Sequence, residues 1–215
     1  MPDFSFEDAA RKEGYAVVVG IDEAGRGPWA GPVVAGAVIL DPQNLSTVLR
    51  LGLDDSKKLT PAKRQALFEE LQGEVLVAVG EATVAEIDEH NILGATMLAM
   101  ARAVKALGVF PDMALVDGNQ EPDLLCPVRT IVKGDSKSLS IAAASIAAKV
   151  TRDRIMTRLA EVFPGYGWET NAGYGTPEHQ EALERRGVTS QHRRSFKPIR
   201  KIIEAQNMGT QDIGG

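Results

Sequence analysis

Residues 20–28 read Gly20-Ile21-Asp22-Glu23-Ala24-Gly25-Arg26-Gly27-Pro28. The stretch closes an apolar run, Ala16–Ile21, that reads as a strand, and it leaves that strand through two adjacent acids into a glycine-rich turn. Carboxylates at the end of a buried strand are costly unless something pairs them. Along an ideal strand neighbouring side chains point to opposite faces, so Asp22 and Glu23 can serve one site only if the chain turns at Glu23, which the glycines beyond permit. Taken alone, the plainer reading of such a pair is a solvated turn.

Beyond that stretch, β-branched apolar runs at Val33–Leu40 and Glu74–Thr83 predict two more strands that form a meander with the first, and Met113–Val116 and Val128–Val132 predict another two. Apolar spacing predicts helices from Pro61 to Leu71, with Thr60 as N-cap, and from Ile92 to Leu107, with Met97, Leu98 and Met100 in the core. A long alanine-rich helix is predicted from about Ser138 to Phe163, with shorter ones over Pro177–Arg186 and Pro198–Ala205. Strands first, then strands alternating with helices, imply an α/β or α+β layer fold with helices against one mixed sheet. A chain of 215 residues and 44% hydrophobic content can bury one substantial core, so we expect a single domain over 1–215, ordered from about 14 to 200, with residues 207–215 as a flexible tail.

No apolar run approaches the ~20 residues of a membrane span, and Met1 to Glu13 is polar where a signal peptide needs apolar residues. The single cysteine, Cys126, cannot form an internal disulfide and reads as a small apolar residue. Both observations lead us to expect a cytoplasmic protein with no membrane association. The net charge of −5 is unevenly spread: residues 146–201 hold 11 Lys/Arg against 6 Asp/Glu, and the remainder 13 against 23. Solvated helix faces account for such a basic segment; so does a track for phosphates beside an acidic, cation-holding site.

Two further acids sit at element ends. Ala114-Leu115-Val116-Asp117-Gly118 places Asp117 at the end of a buried strand, and Lys133-Gly134-Asp135-Ser136-Lys137-Ser138 places Asp135 between a strand and the long helix. Helix capping alone would explain Asp135. Four carboxylates delivered to one point, however, repel one another unless a hard divalent cation lies between them, and an all-oxygen set points to magnesium or manganese rather than zinc. Such a site suits phosphoryl chemistry with two ions and no protein nucleophile.

The strings 20–28, Asp55-Ser56-Lys57-Lys58-Leu59, Val116-Asp117-Gly118-Asn119, Lys133 to Ser138, Ala142-Ala143-Ala144-Ser145-Ile146-Ala147-Ala148-Lys149-Val150-Thr151-Arg152-Asp153-Arg154, Gly173-Tyr174-Gly175-Thr176 and His192-Arg193-Arg194-Ser195-Phe196 are similar, in order, to motifs of ribonuclease HII. The chain resembles that type 2 ribonuclease H family from roughly Gly20 to Pro198. This implies a ribonuclease H-like mixed sheet flanked by helices with a helical C-terminal part. It implies that Asp22, Glu23, Asp117 and Asp135 hold two Mn2+ or Mg2+ ions and are the catalytic residues. Asp153 is the rival for the fourth place, but Lys149 four residues earlier on the helix gives it a structural partner. Asp54, Asp55 and Asp88 read as caps or surface acids.

The resemblance further implies that Gly25, Arg26 and Gly27 read the ribose 2′-hydroxyl through the backbone, and that Tyr174 packs near the sugar after the ribonucleotide. Lys57 and Arg193 are the expected phosphate contacts, while His90, His179 and His192 are too scattered for a ligand cluster. The implied activity is cleavage of the RNA strand of RNA·DNA hybrids and nicking 5′ to ribonucleotides in duplex DNA, leaving 3′-hydroxyl and 5′-phosphate ends, with roles in replication and ribonucleotide excision repair. A monomer is expected, and a clamp or polymerase partner is left open. Ribonuclease HIII shares the acids but carries an N-terminal substrate-binding extension, whereas here the first motif begins at Gly20. A hybrid-binding module would not need all four acids, and resolvase- or transposase-like nucleases lack the Gly-Arg-Gly turn.

Overall fold

The computed structural model describes residues 1–211, with side chains through 207. In chain order the elements are α1 (Ser5–Lys12), β1 (Val18–Ala24), β2 (Val33–Ile39), α2 (Thr47–Gly52), α3 (Pro61–Glu74), β3 (Leu76–Ala82), α4 (Val84–Ala106), β4 (Met113–Asp117), β5 (Val128–Ile131), α5 (Leu139–Val162), α6 (Trp168–Asn171), α7 (Pro177–Arg186) and α8 (Lys197–Gln211). Single 3-10 turns at Ser56–Lys58 and Gly134–Ser136 precede α3 and α5. The strands form one mixed sheet in the order β3-β2-β1-β4-β5. Its first three strands are antiparallel neighbours, and β4 and β5 run parallel to β1.

Helix α5 lies on one face of the sheet and α4 on the other. The approach of α5 is close enough to demand glycine on the strands: a Cβ at Gly20 would lie 2.2 Å from the Ser140 carbonyl carbon, and one at Gly36 would lie 2.3 Å from the Ala144 oxygen. The alanine run of α5 is the other half of that fit, and with Leu67, Phe68 and Leu71 of α3 it closes the core on this side. On the opposite face Val19, Ile21, Ala35 and Ala37 pack against Ala95, Ala99, Met100 and Ala103 of α4. Each large aliphatic side chain buried in this way stabilises the fold by about 1.5–3 kcal/mol. Tyr166, Trp168, Leu183 and Ile199 form a third cluster around Met156, which fastens the C-terminal helices to the end of α5.

Local chemistry accounts for the boundaries. Thr60 accepts the Lys63 N–H ahead of Pro61, and Ser138 accepts that of Ile141. Helix α4 begins earlier than its apolar spacing indicates, because Thr83 and Glu86 form a reciprocal capping box. It is broken at Asn91, whose φ of 58° interrupts the helix and whose Oδ1 accepts the N–H groups of Leu93 and Gly94, so the segment from Ile92 has its own cap. Helix α1 lies ahead of residue 14, the expected start of the ordered part. Helix α8 runs through Gln211, past the expected start of a flexible tail, and residues 212–215 of that tail lie outside the described residues. Among the described residues no helix is long and apolar enough to cross a membrane.

Candidate active site

The register of β1 and β4 brings the acids together. Ile21 pairs with Val116, so Asp22 and Asp117 occupy the next position on adjacent parallel strands. Against expectation, β1 does not turn at Glu23: the strand continues to Ala24, with Glu23 opposite Ala35 and Ala24 opposite Val34. Both acids nevertheless approach Asp117, because β4 ends there while β1 runs on, and beyond that point no neighbouring strand separates the two faces on that side. The pleat puts Asp22 on the face of Gly20, beneath α5. Asp135 enters from the 3-10 turn that leads into α5, on the far side of Asp117.

The electrostatics follow from this crowding. Burial, then the charges of Glu23 and Asp117, push the Asp22 carboxyl well above the usual range. Burial also raises Glu23, against the pull of Arg26. Asp135 is raised by burial and by Asp117 and Asp55, with Lys57 opposing. Each acid has a protein partner: Asp22 Oδ1 accepts the Glu23 N–H at 2.7 Å, and Asp117 Oδ1 accepts that of Gly134 at 2.6 Å. Arg26 Nη1 lies 3.3 Å from Glu23 Oε1, and Lys57 Nζ lies 3.7 Å from Asp135 Oδ2. Among the described residues no three His, Cys, Asp or Glu side chains are already closed into a metal-ligand cluster. The donor set itself, all oxygen, with Asp22 and Asp135 buried and Glu23 and Asp117 half-buried, suits a hard divalent cation.

Beside the acids runs an open cleft of ≈ 400 Å³ lined by Glu23, Gly25, Arg26, Gly27, Lys57 and Tyr174, among others. One wall is the turn 25–27, and two buried arginines hold it together with the segment that follows. Arg193 donates to the carbonyls of Gly25, Arg26, Gly31 and Pro32, and Arg152 donates to those of Ala30, Pro32 and Ala172. Burial lowers their pKa values to about 9 and about 10, respectively, yet both remain cationic at neutral pH. The expectation that Arg193 contacts phosphate is therefore corrected: it is fully buried and its guanidinium is committed to carbonyls. Gly25 has φ +99°, and a Cβ there would lie 2.0 Å from Arg152 Nε. Lys57, by contrast, is open to solvent, on a turn fixed by Arg64 Nη1 donating to the carbonyls of Ser56 and Leu59.

Tyr174 is half exposed, with Cε1 3.4 Å from the position of a Cβ on Gly27. Its carbonyl accepts His179 Nδ1–H at 2.9 Å. This fixes His179 Nε2 as an acceptor, from Trp168 Nε1–H at 3.1 Å and from His192 Nε2–H at 3.0 Å. His192 Nδ1 then accepts from the backbone N–H and the hydroxyl of Thr189. Two histidines that stand apart in the sequence thus meet as a buried neutral pair, with burial lowering His179 and taking His192 down to about 3. Asp153 bonds Lys149 Nζ at 2.7 Å, Asp55 caps the turn that carries Lys57, and Asp88 accepts the N–H groups of Arg194 and Ser195.

Known proteins resemble this arrangement along the chain. A family model described as ribonuclease HII matches residues 19–199. A protein named ribonuclease HII from Ruegeria sp. (strain TM1040) is 57% identical over 203 residues, which cover 94% of this chain and 87% of that protein. The crystal structure of ribonuclease H2 from Pyrococcus horikoshii OT3 superposes with a TM-score of 0.74 at 31% identity, covering 89% of this chain and 99% of that one. A second structure, the PCNA:RNase HII complex from Archaeoglobus fulgidus, gives 0.70 at 30% identity, with coverage of 86% and 96%.

Proposed function

The chain belongs to the ribonuclease HII family and is a ribonuclease H acting on the RNA of RNA·DNA hybrids, and from that premise we propose that it also nicks duplex DNA 5′ to a single embedded ribonucleotide. The observation that carries this reading is the register that sets Asp22 beside Asp117 directly ahead of the turn 25–27. A scissile phosphate held at the acids then places the adjacent ribose at that turn. Asp22, Glu23, Asp117 and Asp135 would hold two Mg2+ or Mn2+ ions. When bound, these supply an activated water and charge stabilisation for in-line displacement at phosphorus, leaving 3′-hydroxyl and 5′-phosphate ends.

The remaining groups bind and orient. The backbone at Gly25–Gly27, its carbonyls fixed by Arg193, accepts the close approach of a sugar and bonds the 2′-hydroxyl that distinguishes RNA from DNA. Tyr174 offers its ring to the next sugar, and Lys57 neutralises a phosphate beside Asp135. The PCNA complex of the archaeal relative supports a sliding-clamp partner for this chain as well. The test is a duplex with one ribonucleotide, and an all-DNA control, incubated with Mg2+, Mn2+ or chelator. We expect a metal-dependent cut 5′ to the ribonucleotide and none in the control; cleavage of long hybrids without cleavage at the single ribonucleotide would overturn the reading.

A further inference from the structure

Helix α1 precedes the residues that the family model matches, yet its Glu7 is buried at 1% exposure against the start of α5. Glu7 Oε1 accepts three bonds, from the Ser138 hydroxyl at 2.6 Å, the Ser140 hydroxyl at 2.6 Å and the Ser140 N–H at 2.9 Å. Oε2 is the one buried side-chain oxygen or nitrogen among the described residues that has no partner. A buried carboxylate with half its bonding capacity unused is costly, and packing alone would favour an apolar residue there. Its placement at the first turn of a 24-residue helix offsets part of that cost.

What Glu7 holds leads directly to the acids. The Ser138 N–H donates to the Gly134 carbonyl at 2.8 Å, and the Gly134 N–H donates to Asp117 Oδ1 at 2.6 Å. Asp135 lies inside the same turn, between Gly134 and Ser136. The backbone of Asp3 grips that segment from the same side, bonding the Lys137 carbonyl and the Leu139 N–H, each at 3.1 Å. The segment 134–140 therefore presents one acid and orients another, and it is fastened at its far end by the N-terminal helix.

We propose that Glu7 is a positioning residue for the metal-binding acids. Through Ser138 and Ser140 it sets the turn that carries Asp135 and the N–H that aims Asp117. The inference rests on the reading of those acids as the metal site.

The test is Mn2+ binding without nucleic acid, followed by the EPR signal of free Mn2+, together with kcat and KM for cleavage of a hybrid. Glu7→Ala should weaken Mn2+ binding and lower kcat by about tenfold each, the scale typical of outer-sphere partners. KM should change little, since Lys57, the turn 25–27 and Tyr174 stand outside the segment that Glu7 holds. Glu7→Gln keeps an acceptor at Oε1 and should recover most of both quantities. Ser140→Ala, which removes one of the three donors, the hydroxyl, and keeps the Ser140 N–H, keeps the test decisive if Glu7→Ala does not fold, and should weaken Mn2+ binding by a smaller factor than Glu7→Ala. Wild-type Mn2+ binding and kcat in a folded Glu7→Ala, or in Ser140→Ala, would overturn the proposal. Asp117→Asn in the same titration separates the two readings: unaltered Mn2+ binding there removes the metal site itself, whereas weakened binding there beside unaltered binding in the Glu7 variant removes only the positioning role.

Discussion

Arg193 Nη2 lies 2.6 Å from the Gly25 carbonyl oxygen, and no carboxylate pairs with that buried cation among its hydrogen bonds. Four carbonyls at fixed angles require the planar fork of a guanidinium; an ammonium on a flexible stem cannot serve them together. Arg193→Lys should cost about 3 kcal/mol, the upper end of the range for a buried group left unpaired, because more than one carbonyl loses its donor. Urea unfolding would check this, and unchanged stability would sink the account. The same variant should lose selectivity for the ribonucleotide more than it loses duplex binding, because the turn 25–27 is what loosens.

Gly25→Ala should be far more damaging to catalysis than its size suggests. The backbone at φ +99° disfavours any side chain, and the new methyl would displace Arg152 from its carbonyls. Even a shift of the turn by about 1 Å is expected to lower cleavage on the order of 100-fold. Hybrid cleavage assayed alongside circular dichroism would separate this from unfolding; a folded variant with wild-type rate would contradict it.

Neutrality of the His179–His192 pair makes stability depend on pH. Protonation of His192 is resisted in the fold down to about pH 3, whereas an unfolded histidine takes up its proton near 6.5. The unfolded state therefore binds more protons between those values. The contribution is fully present above about pH 6.5 and declines as the pH falls toward 3, by at most about 1.4 kcal/mol per pH unit for one site. Thermal unfolding of wild type and His192→Gln from pH 7 to 4 should show a steeper fall in the wild type, with carboxylate titration common to both. Parallel profiles would refute the assignment.

Much of the fold is legible in the sequence. The five strands and the alanine-rich helix lie in local strings, where periodicity and turn residues act over a few positions, and the candidate acids stand at the ends of those strings. What local reading missed depends on distant backbone. Arg152 and Arg193 look like ordinary basic residues until their carbonyl partners around Gly31 are known, which is why Arg193 read as a phosphate contact. The histidine pair needs α7 folded onto the 189–192 segment, and Glu7 needs α1 folded onto α5. The turn expected at Glu23 was wrong for another reason: strand geometry alone does not reveal that β4 stops at Asp117 and leaves β1 overhanging.

Lys57 offers a prediction with two opposite signs. Its ammonium stands 3.7 Å from Asp135, and although some desolvation lowers its pKa, Asp135, Asp22, Asp55 and Asp117 outweigh that and raise it. In the free protein Lys57 therefore competes with a divalent cation for those acids, while toward the duplex it supplies a positive charge at the mouth of the cleft. Lys57→Ala should tighten Mn2+ binding in the absence of nucleic acid, because a competing cation is removed. It should also weaken hybrid binding in Ca2+ and reduce the slope of log K against log salt by roughly 0.9, one phosphate contact. Calorimetry for the ion and fluorescence anisotropy for the hybrid, over a salt series, measure the two effects separately. Weakened binding of both would mean that Lys57 supports the acid site rather than competing for it, and an unchanged salt slope would remove its phosphate contact.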